Sequence, residues 1–410
     1  MINVRTFAVA VFAIGLAAAQ PGHAEIVGNK IKVGVLNDQS SLFADITGRG
    51  SVTAAELAVE DFRRSNPNNN LSIEIIAADH QNKADVGTLI ARRWKDVDKV
   101  DAVVDVPQSA VALALNELFR DSSVAFLPSS AATPDLTGRV CSPNTIQWVI
   151  DTWALANSTG RALTRDGGDS WFFLTANFVF GHSLEGEAKR VIEANGGKVI
   201  GSARHPLNSA DFSSFLLTAQ ASNAKVIGLA NVGGDTINSI KQAAEFGIGR
   251  DGKQKVAALF MFIDDVHALG LKAAQGLLLT TAFYWDLNDS TRAWSKRFAA
   301  KNGGKMPSMD QAGVYSTVLA YLRAAAFINS TDGRAVVAEM KRLPVEDPLF
   351  SNSRIRADGR VIHDLYLARV KTPAQSRGPW DYYEIVSTLP ADQAFRPIEQ
   401  GNCAMLKSTR

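Results

Sequence analysis

Strand-like and helix-like segments alternate along most of this chain, and this alternation limits the possible folds more than any other feature. The first strand-like run is KIKVGVLND at residues 30–38, and the helical pattern RGSVTAAELAVEDFRRSN follows at residues 49–66. Three further strand-like runs, ending with VAFLPS at residues 124–129, have helical patterns between them. This order requires a mostly parallel sheet with helices on both faces.

The same alternation begins again after Trp148. SWFFLTA at residues 170–176 opens a second series of strand-like runs, which ends with KVAALFMF at residues 255–262. The sequence therefore predicts an α/β fold with two doubly wound parallel-sheet units in series. A long helix over residues 310–330 and two turn-rich strands complete the predicted pattern.

The N-terminus has the pattern of a secretory signal peptide. Arg5 precedes an apolar run from Phe7 to Ala19, and small residues follow at Gly22 and Ala24. We predict a signal peptide at residues 1–24, cut after Ala24. The apolar run is about 13 residues long, short of the roughly 20 that span a bilayer. The alternative is a retained N-terminal anchor, but we expect an exported periplasmic chain without membrane insertion.

Charge and metal-ligand composition exclude several kinds of partner. The chain carries 43 basic and 41 acidic residues, a net charge of +2. This balance does not favour nucleic acid or an anionic membrane surface as a partner. The six histidines are scattered, no two have the spacing of one helix face, and two cysteines alone cannot form a zinc site. We therefore expect no metal site.

The two cysteines are Cys141 and Cys403. Export makes a disulfide between them possible. It would close a loop of about 260 residues, for which the chain-entropy model gives roughly 5 kcal/mol as an upper guide. The alternative is two free thiols, one of them in a frayed tail. We expect the disulfide.

Enzyme motifs are missing from the sequence. There is no G-x-S-x-G nucleophile elbow. GRGS at residues 48–51 lacks the third glycine of a dinucleotide fingerprint. GIGRDGKQ at residues 247–254 ends in Gln and follows a helix instead of a strand, so it does not fit a phosphate-binding loop. We expect a binding protein with no cofactor, not an enzyme.

The loops after the predicted strands are rich in Ser, Thr, Asp, Asn and Gly. Ligands of open parallel sheets bind beyond the carboxyl ends of the strands, where these loops lie. In AFLPSSAATPDLTG, residues 125–138, small and hydroxylated residues directly follow a buried run. Such a stretch is either a catalytic serine on a turn or a cradle of N–H groups and hydroxyls. Without an ordered triad, the cradle is the better explanation.

Four segments together resemble the leucine/isoleucine/valine-binding family of periplasmic solute receptors: IKVGVLNDQSSLFADITGRGSVTAAELAVEDF, VVDVPQSAVALALNEL, LPSSAATPDLTG and WFFLTANFVFGHSLEGEAK. The resemblance covers nearly all of the sequence after residue 24. It implies the type I fold, in which three crossings join two lobes that close on a ligand. It also implies a monomer that delivers its ligand to the membrane subunits of an ABC permease.

Crossings near Trp148, Tyr284 and Pro344 would then divide the chain. The boundaries that follow are residues 25–148 and 284–344 for the first lobe, residues 149–283 and 345–390 for the second lobe, and residues 391–410 for a C-terminal tail.

The resemblance also implies ligand-binding residues in the first lobe. Ser109 matches a serine that opens the third helix and binds the ligand carboxylate, where free N–H groups and a partial positive charge favour an anion. The alternative is an ordinary N-cap. The family threonine falls at Ala132, so we expect Ser130, Ala131 or Thr133 to supply the contact. The alternative here is a capped turn.

Aromatic and acidic residues complete the implied site. Phe43 and Phe180 match aromatic residues on opposite rims, although core packing is the alternative for both. Asp265 lies near an acid that pairs with the ligand's ammonium group, and Asp264 adjoins it. The alternative for these aspartates is to cap a helix.

The sequence leaves alternatives open for both the ligand and the role of the chain. A branched-chain or related amino acid is the family default, but aromatic or other organic acids would fit if neither aspartate faces the cleft. An exported ligand sensor would have the same fold, whereas a repressor would need an N-terminal DNA-binding helix pair where the signal peptide lies.

Overall fold

The computed structural model describes residues 26–249 and 252–406. The predicted signal peptide at residues 1–24 lies outside the described residues. Within them, the strands fall into three larger groups and one short hairpin. In chain order they are β1 (Lys30–Asn37), β2 (Ser72–Asp79), β3 (Ala102–Asp105), β4 (Ala125–Leu127), β5 (Ser170–Ala176), β6 (Lys198–His205), β7 (Val226–Ala230), β8 (Lys255–Ala258), β9 (Leu278–Thr281), β10 (Arg354–Ile355), β11 (Val361–Ile362), β12 (Leu365–Val370) and β13 (Tyr383–Leu389).

The α-helices occupy most of the chain between these strands. They are α1 (Gly48–Ser65), α2 (Ala84–Arg93), α3 (Ser109–Phe119), α4 (Thr152–Leu155), α5 (Arg161–Arg165), α6 (Val179–Ala194), α7 (Ser213–Ala221), α8 (Gly234–Glu245), α9 (Ile263–Leu269), α10 (Leu271–Ala274), α11 (Asp289–Lys301), α12 (Met309–Ile328), α13 (Gly333–Arg342) and α14 (Ala391–Ala394). Short 3₁₀ or π turns extend several of them.

The first sheet has the strand order β2-β1-β3-β4, and all of its strands are parallel. Its central strands are apolar and buried on both faces, as expected for a sheet covered by helices. Because Leu36 is paired with Asp105 and Asn37 with Asp79, three strands end at one edge. The loops that follow those strands therefore meet at this edge.

The second sheet repeats the arrangement with the order β6-β5-β7-β8, again entirely parallel. Strand β5 is buried along its whole length. The two parallel sheets with helices between their strands are the α/β architecture that the alternating pattern predicts.

Later parts of the chain return to both sheets. Helix α12 is buried along most of its length and packs along α1 beside the first sheet. It begins at Ser308, which caps it by accepting a hydrogen bond from the backbone N–H of Gln311 at 3.1 Å. Strand β12 lies antiparallel between β9 and β13 in a third sheet. Strands β10 and β11 form a hairpin.

The chain passes from the first sheet to the second through residues 147–152, called here the crossing segment. Gln147 forms an isolated parallel bridge with Arg360, next to the β10–β11 hairpin. The hairpin thus contacts the crossing segment, whereas β12 pairs with both β9 and β13. The exact boundaries of the two lobes stay a prediction.

A disulfide joins Cys141 to Cys403, the pair expected from the sequence. The bond ties the end of the chain to the segment that follows β4. In the same region, Arg396 donates a hydrogen bond to the carbonyl of Pro134 at 2.8 Å. None of the helices at residues 26–249 and 252–406 is both long and apolar enough to span a bilayer.

We predict that replacing both cysteines, Cys141→Ala with Cys403→Ala, lowers the free energy of unfolding by about 2–5 kcal/mol. The reason is that the bond closes a loop with a sequence separation of 262 residues, which restricts the unfolded chain. Urea unfolding followed by circular dichroism measures the change. A reductant should shift the wild-type midpoint and leave the double variant unchanged. Equal midpoints for the two oxidised proteins would contradict the prediction.

Candidate ligand-binding site

The carboxyl edge of the first sheet is organised by Asp105, which ends β3. Its Oδ1 accepts a hydrogen bond from the Ser130 hydroxyl at 2.5 Å, and its Oδ2 accepts one from the Asn37 amide at 2.9 Å. Its backbone carbonyl accepts the N–H of Ser130 at 3.2 Å. Asp105 therefore holds the loop after β4 against the strand end that leads into α3. The sequence predicted Ser130 as a ligand contact, but its hydroxyl proton goes to Asp105 here.

Asp105 and Val106 have positive φ angles of 78° and 53°. This conformation is uncommon for residues other than glycine, and above all for a β-branched valine. Such strain persists only where the surroundings enforce it, and it is often found at binding sites. The Asp105 side chain is fully buried, and loss of water raises the pKa of its carboxyl to about 6.

Residues 129–133, called here the cradle loop, turn most of their carbonyl groups toward the crossing segment. The Ser129 carbonyl accepts from the N–H of Val149, and the Ala132 carbonyl from the N–H of Thr152, both at 2.9 Å. The amide of Gln147 donates to the carbonyls of Ala131 and Thr133 at 2.5 and 3.0 Å.

Three N–H groups of the cradle loop, in contrast, are unpaired in the part of the chain that the structure describes. Among the described residues, those of Ala131, Ala132 and Thr133 have no hydrogen-bond partner, although all three residues are buried. The Ser130 carbonyl likewise has no donor there. Buried backbone groups rarely stay unpaired. Within the described residues, the loop therefore has three unpaired N–H groups and one unpaired carbonyl, and this carbonyl points away from the N–H of Ala131 because both belong to one peptide unit.

Thr133 also forms the cap that the sequence allowed as an alternative. Its Oγ1 accepts from the N–H of Asp135 at 3.4 Å, ahead of a 3₁₀ turn at Pro134–Thr137. This donor–acceptor distance is long, so the hydrogen bond to the Thr133 hydroxyl is weak.

Ser109 lies in the first turn of α3, as the sequence predicts, but it is not the N-cap. Gln108 has that role, because its Oε1 accepts the N–H of Val111 at 2.8 Å. The Ser109 side chain is buried, and its Oγ has no hydrogen-bond partner among the described residues. The ordinary N-cap alternative is therefore wrong, and this hydroxyl stands uncommitted at a helix N-terminus.

Phe43 belongs to the loop between β1 and α1, which Asp38 holds in place. The buried Asp38 carboxylate accepts from the N–H of Ser41 at 2.9 Å and from the N–H of Phe43 at 2.9 Å. On the second sheet's side, Gly233 approaches this loop so closely that a Cβ atom would lie 2.8 Å from the Leu42 carbonyl oxygen. The rims of the two sheets therefore touch at this point.

Phe180 lies in the first turn of α6 and is part of a row of aromatic rings. Its ring centroid is 5.7 Å from that of Phe178 and 5.1 Å from that of Phe260. The Phe260 and Phe262 rings are 4.6 Å apart. Phe43 and Phe180 both belong to one buried apolar cluster that extends over the two sheets. Core packing thus describes both rings in this structure, and their contact with a ligand stays a prediction.

The two aspartates of the second rim differ in their partners. Asp265 Oδ2 accepts the N–H of Phe262 at 2.8 Å at the start of α9, which is the capping alternative. Asp264 Oδ2 is buried without a partner in the part of the chain that the structure describes. Burial and the neighbouring charges of Asp265 and Asp45 raise the pKa of Asp264. Asp264 is therefore the better placed of the two to meet a ligand.

The sequence did not identify three residues that organise the site. Asn37 and Asp105 lie at strand ends, a position at which polar residues often face a ligand, and this was the available signal. Gln147 lies outside any recognisable motif, and only the folded chain brings it to the cradle loop.

Comparison with known proteins identifies the family. Residues 30–378 match the family model described as periplasmic binding protein. The chain belongs to the periplasmic binding protein family. No match was found among curated proteins.

Solved structures agree with this assignment and with the type I fold. A periplasmic binding protein from Burkholderia mallei is 46% identical, with a TM-score of 0.87 over 92% of this chain and 99% of that chain. A branched chain amino acid ABC transporter periplasmic ligand-binding protein from Burkholderia xenovorans is 38% identical, with a TM-score of 0.82 and the same coverage. A solute binding protein from R. palustris in complex with benzoate shares the fold at 18% identity and a TM-score of 0.79, over 92% of this chain and 99% of that chain.

We predict that Asp105→Asn reduces the loss of stability between about pH 4 and about pH 7. The pKa of this carboxyl is raised from 3.8 to about 6 in the folded chain. Its contribution to stability is complete below about pH 4 and is lost as the pH rises through about 6, because the folded chain keeps a proton that the unfolded chain releases. Urea midpoints at the two ends of this range measure the difference.

The exposed Asp121, replaced in Asp121→Asn, is the control. Most other titrating groups affect all three proteins equally. Asp310 is the exception, because burial and the charge of Asp105 raise its pKa, so the measured difference includes the response of Asp310. Equal pH slopes for the wild type and both variants would show that Asp105 does not titrate in this range.

Proposed function

We propose that this chain is the periplasmic receptor of an ABC importer and that it binds a small carboxylate-bearing solute, such as a branched-chain or related amino acid, between its two lobes. The family assignment supports the receptor role, and receptors of this family bind without transforming their ligand. The predicted signal peptide at residues 1–24 supports export. The membrane subunits of the importer would be its partners, and we expect a monomer.

The observation that carries this proposal is the set of uncommitted donors at the carboxyl edge of the first sheet. The N–H groups of Ala131, Ala132 and Thr133 and the hydroxyl of Ser109 have no partner among the described residues. Asp105 holds the cradle loop beside the start of α3, so these donors belong to one region. N–H groups at a helix N-terminus favour an anion, and a carboxylate accepts several hydrogen bonds.

One uncommitted acceptor supports an ammonium group on the same ligand. It is the Asp264 carboxyl on the second rim, whose Oδ2 has no partner among the described residues. The aromatic rings at Phe43 and Phe180 supply apolar surface for a side chain. Sites of this kind combine apolar walls with a few placed polar groups and bury most of the ligand.

We predict that the chain from residue 25 onward melts at a higher temperature in the presence of a carboxylate ligand, because binding to the folded state alone stabilises it by mass action. The panel should hold leucine, isoleucine, valine, phenylalanine and benzoate. Ser109→Ala should weaken binding of the active compound about tenfold, since a hydrogen bond to a charged group is worth about 1.5–3 kcal/mol.

Ser213→Ala is the matched control, because Ser213 occupies the same first position of α7, away from the site. It should bind like the wild type. A panel without any shift would refute the carboxylate proposal. Unchanged affinity in Ser109→Ala would remove Ser109 from the site.

We predict that Asp264→Asn weakens binding of an amino acid about tenfold and leaves its deaminated analogue unaffected, because only the ammonium group needs the acceptor. Leucine and 4-methylpentanoate are the matched pair, and calorimetric titration measures both. Equal losses for the two compounds would show that Asp264 acts through the structure instead of the ammonium group.

A further inference from the structure

Gln147 is the residue that faces the cradle loop from the crossing segment. Its side chain is fully buried, and its Nε2 donates to the carbonyls of Ala131 and Thr133. Its own backbone is fixed on the opposite side, where its N–H donates to the Gly359 carbonyl at 2.9 Å and its carbonyl accepts the N–H of Val361 at 3.0 Å. The amide therefore holds the loop from a backbone that is itself immobilised.

These two hydrogen bonds hold two peptide units, but only one of the units carries an N–H, because the Thr133 carbonyl belongs to the unit of Pro134. A peptide unit has its C=O and N–H on opposite sides, so a carbonyl held toward the crossing segment directs the following N–H away from it. The Ala131 carbonyl belongs to the same unit as the N–H of Ala132. Without a donor on that carbonyl, the unit is free to turn and to present its oxygen where the N–H now lies.

We propose that Gln147 is the positioning residue that makes the cradle loop selective for carboxylates. By holding the Ala131 carbonyl, it keeps the N–H of Ala132 directed away from the crossing segment, where a carboxylate ligand would accept it. A neutral primary amide at the same place has one accepting oxygen where a carboxylate has two. Its NH₂ group also needs hydrogen-bond acceptors. Gln147 thus determines the preference for a carboxylate over its amide without touching the ligand. This inference rests on the proposed function.

The test compares Gln147→Met with a matched control, Asn144→Leu. Asn144 is also fully buried, and its amide also donates to two carbonyls, those of Phe119 and Val124, at 2.6 and 2.8 Å. Gln147→Met removes two buried hydrogen bonds, and Asn144→Leu removes three, because Asn144 Oδ1 also accepts from the Ser142 hydroxyl at 2.7 Å, so both should lower the melting temperature. Of these two residues, only Gln147 bonds to the cradle loop.

The measured quantity is the ratio of dissociation constants for a carboxylate and its primary amide, with leucine against leucinamide and benzoate against benzamide as probes. We expect the wild type and Asn144→Leu to prefer the carboxylate equally, and Gln147→Met to lose about tenfold of that preference. A general loss of stability would not change this ratio. An unchanged ratio in Gln147→Met overturns the inference and leaves the proposed function standing.

If neither carboxylate binds the wild type, the proposed function fails, and this inference fails with it. If Gln147→Met does not fold, amide hydrogen exchange in the wild type decides the matter. The N–H groups of Ala131 to Thr133 should then gain protection only when the bound carboxylate is present. Full protection before addition of leucine or benzoate would show that these groups already have partners, and it would overturn the inference.

Discussion

A peptide group that is buried away from water needs a hydrogen-bond partner inside the protein. In the cradle loop this need is met on one side only: the crossing segment takes the carbonyls of Ser129, Ala131, Ala132 and Thr133. The parallel sheet places the loop at its carboxyl edge, and Asp105 keeps it there. The N–H groups of Ala131, Ala132 and Thr133 stay unpaired among the described residues. The proposed binding site is thus the unpaired half of a backbone network whose other half is structural.

The crossing segment, which binds the carbonyls of the cradle loop, is itself held in place by Arg360. The fully buried guanidinium of Arg360 donates to the carbonyls of Trp148 and Val149 at 3.1 and 2.8 Å and lies 4.3 Å from the centre of the Phe395 ring. Burial lowers the pKa of Arg360 to about 10, which still leaves it charged at neutral pH. Segments far apart in the sequence therefore meet at residues 147–149. The loop, the hairpin at residues 354–362 and the C-terminal part of the chain depend on one another through this segment.

Local sequence patterns were enough to predict the strands of both parallel sheets, because β-branched apolar runs and helix caps are encoded over a few residues. The sequence predicted β5 with its exact bounds, and it placed Ser109 in the first turn of α3. It extended β8 to Phe262, but pairing with β7 ends at Ala258, and the aromatic residues beyond pack against one another. It also missed α13, although Val336, Val337 and Met340 form a buried apolar face there.

Local sequence patterns could not predict the interactions that organise the site. The hydrogen bonds of Asp105 join residues 25 and 68 positions away, and the Gln147 amide reaches back 14 and 16 positions. Sequence patterns do not encode such distances. The capping role of Asp265 needed only its neighbours, and the sequence accordingly kept that alternative.

The disulfide encloses one of the two parallel sheets in a covalent ring and leaves the other sheet outside it. Cys141 follows β4 and Cys403 follows β13, so the covalent ring contains the whole second sheet and the crossing segment, whereas the first sheet lies outside it. One proteolytic cut anywhere between the two cysteines leaves both parts of the chain joined. A cut between residues 134 and 140 instead frees the segment that carries Ser109 and the cradle loop, which only non-covalent contacts then retain. A single nick therefore leaves the second sheet covalently tied to the rest of the chain, whereas a nick within the first sheet separates two pieces.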